Sequence, residues 1–386
     1  MKILYDYQAF TMQKFGGVSK CFCELISKLP KEVEWNIAIK ESDNIHLDQF
    51  KLVPELKHNN ICADTFISKR NFKGKIRLYN LVNHIFPSFP SSENLNKRFA
   101  IQKLKESNYD IFHPTFFKDY FLPYLNKKPF VLTIHDMMPE LFPEYFRRND
   151  MQILMKRKLV KEAGAIIAVS NQTKNDIIRL LGVNPNKISV IYHGGPKRND
   201  LPSAQPPIIN GDYILYVGSR YGYKNFAQFL RGFSLFAKNN ADVKLICTGK
   251  PFTQEEQHLI SSLGISKRIV QYFVSDIELT NLYAHALVFV YPSMYEGFGM
   301  PILEAYAYGC PVILSNCSCF PEIAGNAALY FDTENGEAEL ASRLQEIYNY
   351  TDKQRKELIQ LGYERLSHYT WEKSSKQLVK LYESLL

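Results

Sequence analysis

No apolar run in this sequence approaches the roughly 18–20 residues needed to cross a bilayer. The first residues, Met1-Lys2-Ile3-Leu4-Tyr5-Asp6-Tyr7, meet polar and acidic side chains too early for a secretory signal, so a cytoplasmic chain is expected. There is no Cys-x-x-Cys. The seven cysteines are scattered, with two Cys-x-Cys pairs, which points to small buried hydrophobes and against a zinc site or a disulfide framework. The first strand is not followed by Gly-x-Gly-x-x-Gly, which disfavours a dinucleotide oxidoreductase. Motifs of nucleic-acid-binding modules are missing, so no nucleic-acid partner is expected. Asp-x-Asp is also missing, so no carboxylate pair of that type is available to hold a divalent cation; neither a metal nor a cofactor is expected.

What is present is a packed globular chain, 46% hydrophobic and 22% charged, whose 386 residues suggest two to three domains. The net charge of +8 is unevenly spread. Lys69, Arg70, Lys73, Lys75 and Arg77 follow one another without an intervening acid, and an apolar string comes next: Leu78, Tyr79, Leu81, Val82, Ile85, Phe86 and Phe89. A basic cluster beside an amphipathic segment can dock on anionic lipid. It can equally be a solvated face beside a core helix. Peripheral contact with an anionic membrane, at its inner face, is carried forward as an expectation.

Short branched apolar runs alternate with helical stretches, twice over. In the first half, 2–5, 35–39, 111–113, 130–135, 165–169 and 188–192 read as strands. Val18, Phe22, Leu25, Ile26 and Leu29 share one helical face. Ser170 is a good N-cap for a helix over 171–181 that Gly182 closes. The polar, proline-rich stretch 197–207 reads as a linker. Beyond it, 213–217, 243–248, 269–273, 287–291 and 312–314 read as strands and 225–238, 255–263 and 277–286 as helices, with Ser275 and Glu278 forming a capping box. This alternation predicts an α/β protein of two doubly wound, Rossmann-like domains facing each other across a cleft. The first covers 1–200 and the second 211–370; a terminal helix over 371–386 carries an apolar stripe of Leu378, Leu381, Tyr382 and Leu385 that must pack somewhere.

The most informative segment runs from Tyr291 to Ala305, Tyr-Pro-Ser-Met-Tyr-Glu-Gly-Phe-Gly-Met-Pro-Ile-Leu-Glu-Ala. A buried strand ends, a loop with Gly297 and Gly299 follows, and Pro301 suits the first turn of a helix. The free N–H groups and positive dipole end of that helix make an anion site, and a diphosphate is its natural guest. Glu296 and Glu304 flank it with seven residues between them. Beside a phosphate they would repel unless each accepted hydrogen bonds from hydroxyls, which a sugar ring and a ribose diol would supply. Taken singly, Glu304 also reads as a helix-surface acid and Glu296 as a loop residue. Upstream, the strand 213–217 runs into Gly218-Ser219-Arg220-Tyr221-Gly222-Tyr223-Lys224-Asn225. Arg220 and Lys224 could neutralise the diphosphate as it leaves; as an isolated pair they read equally well as solvated cations.

These residues resemble the signature of retaining glycosyltransferase family 4, which has the GT-B fold. The resemblance rests on Glu296–Glu304 with its Gly-Phe-Gly-Met-Pro interior, on Ala305-Tyr306-Ala307-Tyr308-Gly309-Cys310-Pro311-Val312, and on Pro321-Glu322-Ile323-Ala324-Gly325. It implies that Glu296 binds donor-sugar hydroxyls and Glu304 the ribose, and that Arg220 and Lys224 hold the diphosphate beside Gly218. It also places the loop Gly297, Phe298, Gly299, Met300, Pro301, Ile302 and Leu303 against the donor. By the same resemblance Gly16-Gly17-Val18 approaches the donor phosphate from the first domain, and His135 of Thr133-Ile134-His135-Asp136 lies beside the transferred sugar. Val274 contacts the base through its backbone. The helix after Trp371 is implied to cross back onto the first domain, which takes the acceptor while the second takes the nucleotide sugar. A lone His after a buried strand is, on composition alone, more often structural; His113 likewise ends a strand and could simply line the cleft.

The spelling Tyr192-His193-Gly194-Gly195, with Gly218-Ser219-Arg220 and Tyr223-Lys224-Asn225, is similar to a subset of bacterial mannosyltransferases of O-antigen and capsule assembly. The expectation is therefore metal-independent hexose transfer with retention, mannose from GDP-mannose first, onto a saccharide or lipid-linked oligosaccharide in cell-surface polysaccharide synthesis. A UDP-sugar donor, a nucleotide-sugar epimerase and a non-catalytic sugar-binding protein are the rivals.

Overall fold

The computed structural model describes residues 1–59, 61, 74–75, 78, 81–82, 85, 91–146, 150–198 and 205–386. In the first half, β1 (Lys2–Asp6) pairs in parallel with β2 (Glu34–Ala38) on one side and β3 (Ile111–His113) on the other, with Ile3 opposite both Trp35 and Ile111. The strands β4 (Val131–Ile134), β5 (Ala165–Ala168) and β6 (Ile188–Val190) form a second parallel set. A bridge between Phe112 and Phe130 joins the two sets, and the Phe112 N–H donates to the Pro129 carbonyl at 3.1 Å. In the second half, β7 (Tyr213–Tyr216), β8 (Lys244–Thr248), β9 (Ile269–Tyr272), β10 (Val288–Tyr291), β11 (Val312–Ser315) and β12 (Leu329–Phe331) form one sheet in the order β12-β11-β10-β7-β8-β9. Every residue of β7, β10 and β11 is buried, as strands covered by helices on both faces must be.

The strand order reverses between β1 and β3 in the first half and between β7 and β10 in the second, while the strands stay parallel. Ligands bind at such switch points, beyond the C-terminal ends of the strands. The helices that frame them are α1 (Gly17–Ser27), α2 (Met151–Glu162), α3 (Asn171–Leu181), α4 (Phe226–Ala237), α5 (Asp276–His285) and α6 (Met300–Ala307), followed by α7 (Asp352–Ser367) and α8 (Trp371–Glu383). Ser170 caps α3 through the Thr173 N–H, and Gly182 closes that helix at φ +64°. Ser275 and Glu278 make the capping box of α5.

The last helix returns to the first half. Trp371, Leu378 and Tyr382 join its hydrophobic core, and the Ser375 hydroxyl donates to the Lys28 carbonyl at the end of α1 at 2.9 Å. Tyr382 shares a 2.9 Å hydrogen bond with Tyr5 and one of 2.6 Å with His113 Nδ1. The glycines of Tyr192-His193-Gly194-Gly195 follow from this crossing. A Cβ on Gly194 would sit 2.3 Å from the Trp371 nitrogen, and one on Gly195 would sit 2.5 Å from Leu366 and 2.9 Å from Leu303. Of the basic stretch, Lys69, Arg70, Lys73 and Arg77 lie outside the described residues, while Lys75 is buried. Among the described residues no helix is long and apolar enough to cross a membrane.

Candidate active site

The loop after β10 carries Glu296 into the cleft on a tightly held backbone. The Glu296 N–H donates to the Ser318 hydroxyl at 3.2 Å, and that hydroxyl donates back to the Glu296 carbonyl at 2.8 Å. Gly299, at φ +88°, is the N-cap of α6, a conformation that only glycine adopts cheaply. Lys224 sits at the end of a single helical turn after β7 and presents its ammonium to Glu296, with Nζ to Oε1 2.5 Å. Both side chains are largely buried, at 15% and 11% exposure. The cation and the carboxylate therefore neutralise one another at the N-terminus of α6.

Gly297 is where the two halves touch. A Cβ there would lie 1.7 Å from the carbonyl oxygen of His135. Its own carbonyl accepts from Ser170 Oγ at 2.6 Å and from Thr173 Oγ1 at 3.2 Å, both at the start of α3. Further contacts cross the cleft to that helix: Glu322 accepts the Asn171 N–H at 2.7 Å and the Gln172 N–H at 3.1 Å, and the Tyr295 hydroxyl donates to Asp176 at 3.0 Å. Another links the turn before Lys224 to the segment after His135, where the Tyr221 hydroxyl donates to the Tyr145 carbonyl at 3.1 Å.

His135 follows β4 directly, stacks on His193 at 5.6 Å and meets the edge of Phe22 at 6.0 Å. Its Nε2 is buried without a hydrogen-bond partner. Burial pushes its pKa down to about 4, with Asp136 opposing, so the ring is neutral at pH 7. His113 is different. Both ring nitrogens are bonded, Nδ1 to Tyr382 and Nε2 to the Thr133 hydroxyl at 2.9 Å, and burial, aided by His135, takes it down to about 3. It is a core residue and does not line the cleft.

Glu304, in α6, faces α1, where Lys20 Nζ lies 3.5 Å from its Oε1. Gly16 is the N-cap of α1 and is covered by Gln13, whose Oε1 would lie 2.1 Å from a Cβ there, while a Cβ on Gly17 would meet nothing within 4 Å. Gly218, at φ +105°, likewise faces open space. Val274 is half-buried at the start of the turn into α5. Phe298 is buried against His193 at 5.0 Å and Tyr369 at 5.8 Å. Ile302 and Leu303 are fully buried in the core of the second half, while Met300 and Pro301 remain half-exposed. The side chains of Ile302 and Leu303 thus hold α6 in place and do not reach into the cleft.

Arg220 departs from the sequence expectation of a free diphosphate ligand. Its Nε donates to Glu256 at 2.9 Å and its Nη2 to the carbonyls of Lys250 at 2.6 Å and Pro251 at 3.0 Å, while the guanidinium lies 4.8 Å from the Phe252 ring centre. The side chain is only 6% exposed. Nε and Nη2 are committed in this way, while Nη1 reaches only the Thr248 carbonyl at 3.5 Å; Lys224 is the cation paired with Glu296. Sequence reasoning missed Lys20, Glu24 and Asp276, which share a cavity of about 220 Å³ with Glu304. The one signal available was position, since Lys20 lies in the first turn of the helix that Gly16-Gly17 opens.

Two doubly wound parallel halves across a cleft, with an α-helix N-terminus flanked by two carboxylates, give the chain the GT-B fold. Two family models match the chain, Glycosyltransferase Family 4 over residues 15–195 and Glycosyl transferases group 1 over residues 201–365. The chain belongs to this glycosyltransferase family and is a hexosyltransferase. It is 29% identical over 281 residues to O-antigen chain mannosyltransferase B of Escherichia coli, a match spanning 69% of this chain and 73% of that protein. It is 29% identical over 205 residues to O-antigen chain mannosyltransferase RfbU of Salmonella typhimurium, spanning 53% and 57% respectively. Among solved structures, Anabaena HepE in complex with UDP and glucose superposes with a TM-score of 0.72 at 18% identity, covering 100% of both chains. The glycosyltransferase WaaG superposes with a TM-score of 0.65 at 14% identity over 99% of each.

Proposed function

We propose that the chain transfers mannose from GDP-mannose, with retention and without a metal, to a saccharide or lipid-linked oligosaccharide acceptor in cell-surface polysaccharide synthesis. The observation that carries this reading is the Lys224–Glu296 ion pair on the loop that leads into α6, a loop whose Gly297 packs against the backbone of His135. Negative charge builds on the diphosphate as the bond to the sugar breaks, and preorganised donors that face it stabilise that state. Lys224 and the α6 N–H groups are those donors. Glu296 takes sugar hydroxyls, Glu304 takes the ribose diol, and neutral His135 takes a hydroxyl of the transferred sugar. The names of the relatives support mannose, and the absence of Asp-x-Asp supports metal independence.

The direct test is a thermal-shift titration with GDP, UDP, ADP and their common sugars, wild type against Glu304→Ala. A ligand that binds only the native state raises the melting temperature by mass action. A GDP-specific shift that disappears in the variant supports the reading; a shift with UDP alone moves the donor to a UDP-sugar, the alternative that the HepE complex favours. Activity that is lost on chelation and restored by Mg²⁺ or Mn²⁺ would count against metal independence.

The chain also acts, in this proposal, from the cytoplasm at the inner membrane face. Leu78, Leu81 and Ile85 are exposed at 38%, 52% and 56%, an apolar row of the kind that enters a lipid headgroup layer. Sedimentation with anionic liposomes that is unchanged on neutralising Lys69, Arg70, Lys73, Lys75 and Arg77 would remove the basic stretch from this picture.

A further inference from the structure

The cavity beside Glu304 is built from both halves of the molecule. Lys20 and Glu24 come from α1, Asp276 and Thr280 from α5, Glu304 from α6 and Trp371 from the returning helix. Its lining holds three carboxylates, Glu24, Asp276 and Glu304, against one cation, Lys20. A nucleoside diphosphate is itself strongly anionic, so an uncompensated wall of three carboxylates would repel it. Lys20 is also the partner that Glu304 finds across the cleft. Their 3.5 Å contact engages one carboxylate oxygen, Oε1, and leaves acceptor sites on the group for a diol. Burial works against the charge on Lys20, but Glu304, Asp276 and Glu24 outweigh it and hold the ammonium above its ordinary range. The cation is therefore present at any working pH.

We propose that Lys20 is a positioning residue for the nucleotide sugar. It orients Glu304 for the ribose diol, and so ties nucleoside binding in the second half to a side chain of the first half. The proposal rests on the reading of Glu304 as the ribose ligand. It does not require Lys20 to touch the reacting atoms, which distinguishes it from Lys224.

The test uses the full chain with nucleotide titrations and steady-state transfer kinetics on Lys20→Met, Lys20→Arg, Glu304→Ala and the Lys20→Met/Glu304→Ala double variant. Lys20→Met is expected to raise the donor KM and the GDP dissociation constant about tenfold, a common size for coupling between groups, while kcat stays within about threefold of wild type. Lys20→Arg is expected to recover most of the loss. In the Glu304→Ala background, Lys20→Met is expected to add little. Lys20→Gln takes the place of Lys20→Met where the methionine variant fails to fold. An unchanged KM in Lys20→Met, or losses that add fully in the double variant, overturns the role of Lys20 and leaves the nucleoside site standing. Unchanged nucleotide affinity in Glu304→Ala instead overturns the ribose reading itself.

Discussion

The Lys224 ammonium lies 2.5 Å from the Glu296 carboxylate, although the two residues are 72 positions apart and belong to different strand-to-helix loops. Each is what the other needs in the low-dielectric cleft, so removing one leaves a buried charge without its partner. Lys224→Met and Glu296→Gln are each expected to lower kcat by about 10²–10³, the range found on removing one preorganised donor from a transition state. The double variant should lose little more, because the two groups act as a unit. Full additivity in single-turnover rates would show that they act independently.

Arg220 is expected to behave differently. Its Nε and Nη2 donors are spent on Glu256 and on two carbonyls of the loop after β8, so its loss falls first on stability. Arg220→Met should cost about 1–3 kcal/mol in urea unfolding, because the part-buried Glu256 carboxylate is left without its charged partner. Its kcat should fall less than that of Lys224→Met. A kcat loss equal to that of Lys224→Met, with stability unchanged, would return Arg220 to the diphosphate.

Gly297→Ala tests the contact between the halves. The added methyl would overlap the His135 carbonyl at 1.7 Å, and because that neighbour is backbone it cannot swing aside. The loop must shift, carrying Glu296 with it. A loss of about 100-fold in kcat/KM is expected, comparable with other misplacements of about 1 Å. Near-wild-type kinetics would mean that the halves work further apart than this arrangement.

Much of this was legible from residue order. Tyr213–Tyr216 and Val288–Tyr291 read as buried strands because they are short, continuous apolar runs, and Ser170 and Ser275 announced their helices through local capping chemistry. Glu296 and Glu304 stood out because the glycines and Pro301 between them make sense only together. What stayed hidden depends on partners distant in the chain. The stripe of α2 is broken by Lys156, which is fully buried against Glu140 at 2.8 Å and donates to the Asp136 carbonyl at 3.2 Å, so hydrophobic period could not mark this helix. Arg220 looked free because Glu256 is 36 residues away. Lys20 carried no signal because Glu304, its partner, is 284 residues away on the other half of the molecule.

The buried histidines set a pH dependence whose direction can be worked out. In the unfolded chain His113 and His135 take up protons near pH 6.5, but in the fold burial delays this to about 3 and about 4. Between those limits the unfolded chain binds more protons, so acid favours unfolding. Their contribution is complete above pH 7 and declines as the pH falls from about 6.5 towards 4. At about 1.4 kcal/mol per pH unit, each histidine gives up on the order of 2 kcal/mol by pH 5. Asp6 and Glu24, whose carboxyls burial raises, act in the opposite sense and soften the decline at its acid end. The histidine part is isolated by difference. His135→Asn removes a ring whose Nε2 has no partner, so it should flatten the curve of unfolding free energy against pH without abolishing the fold. Parallel wild-type and variant curves between pH 7 and 5 would show that His135 takes up no protons on unfolding in that range.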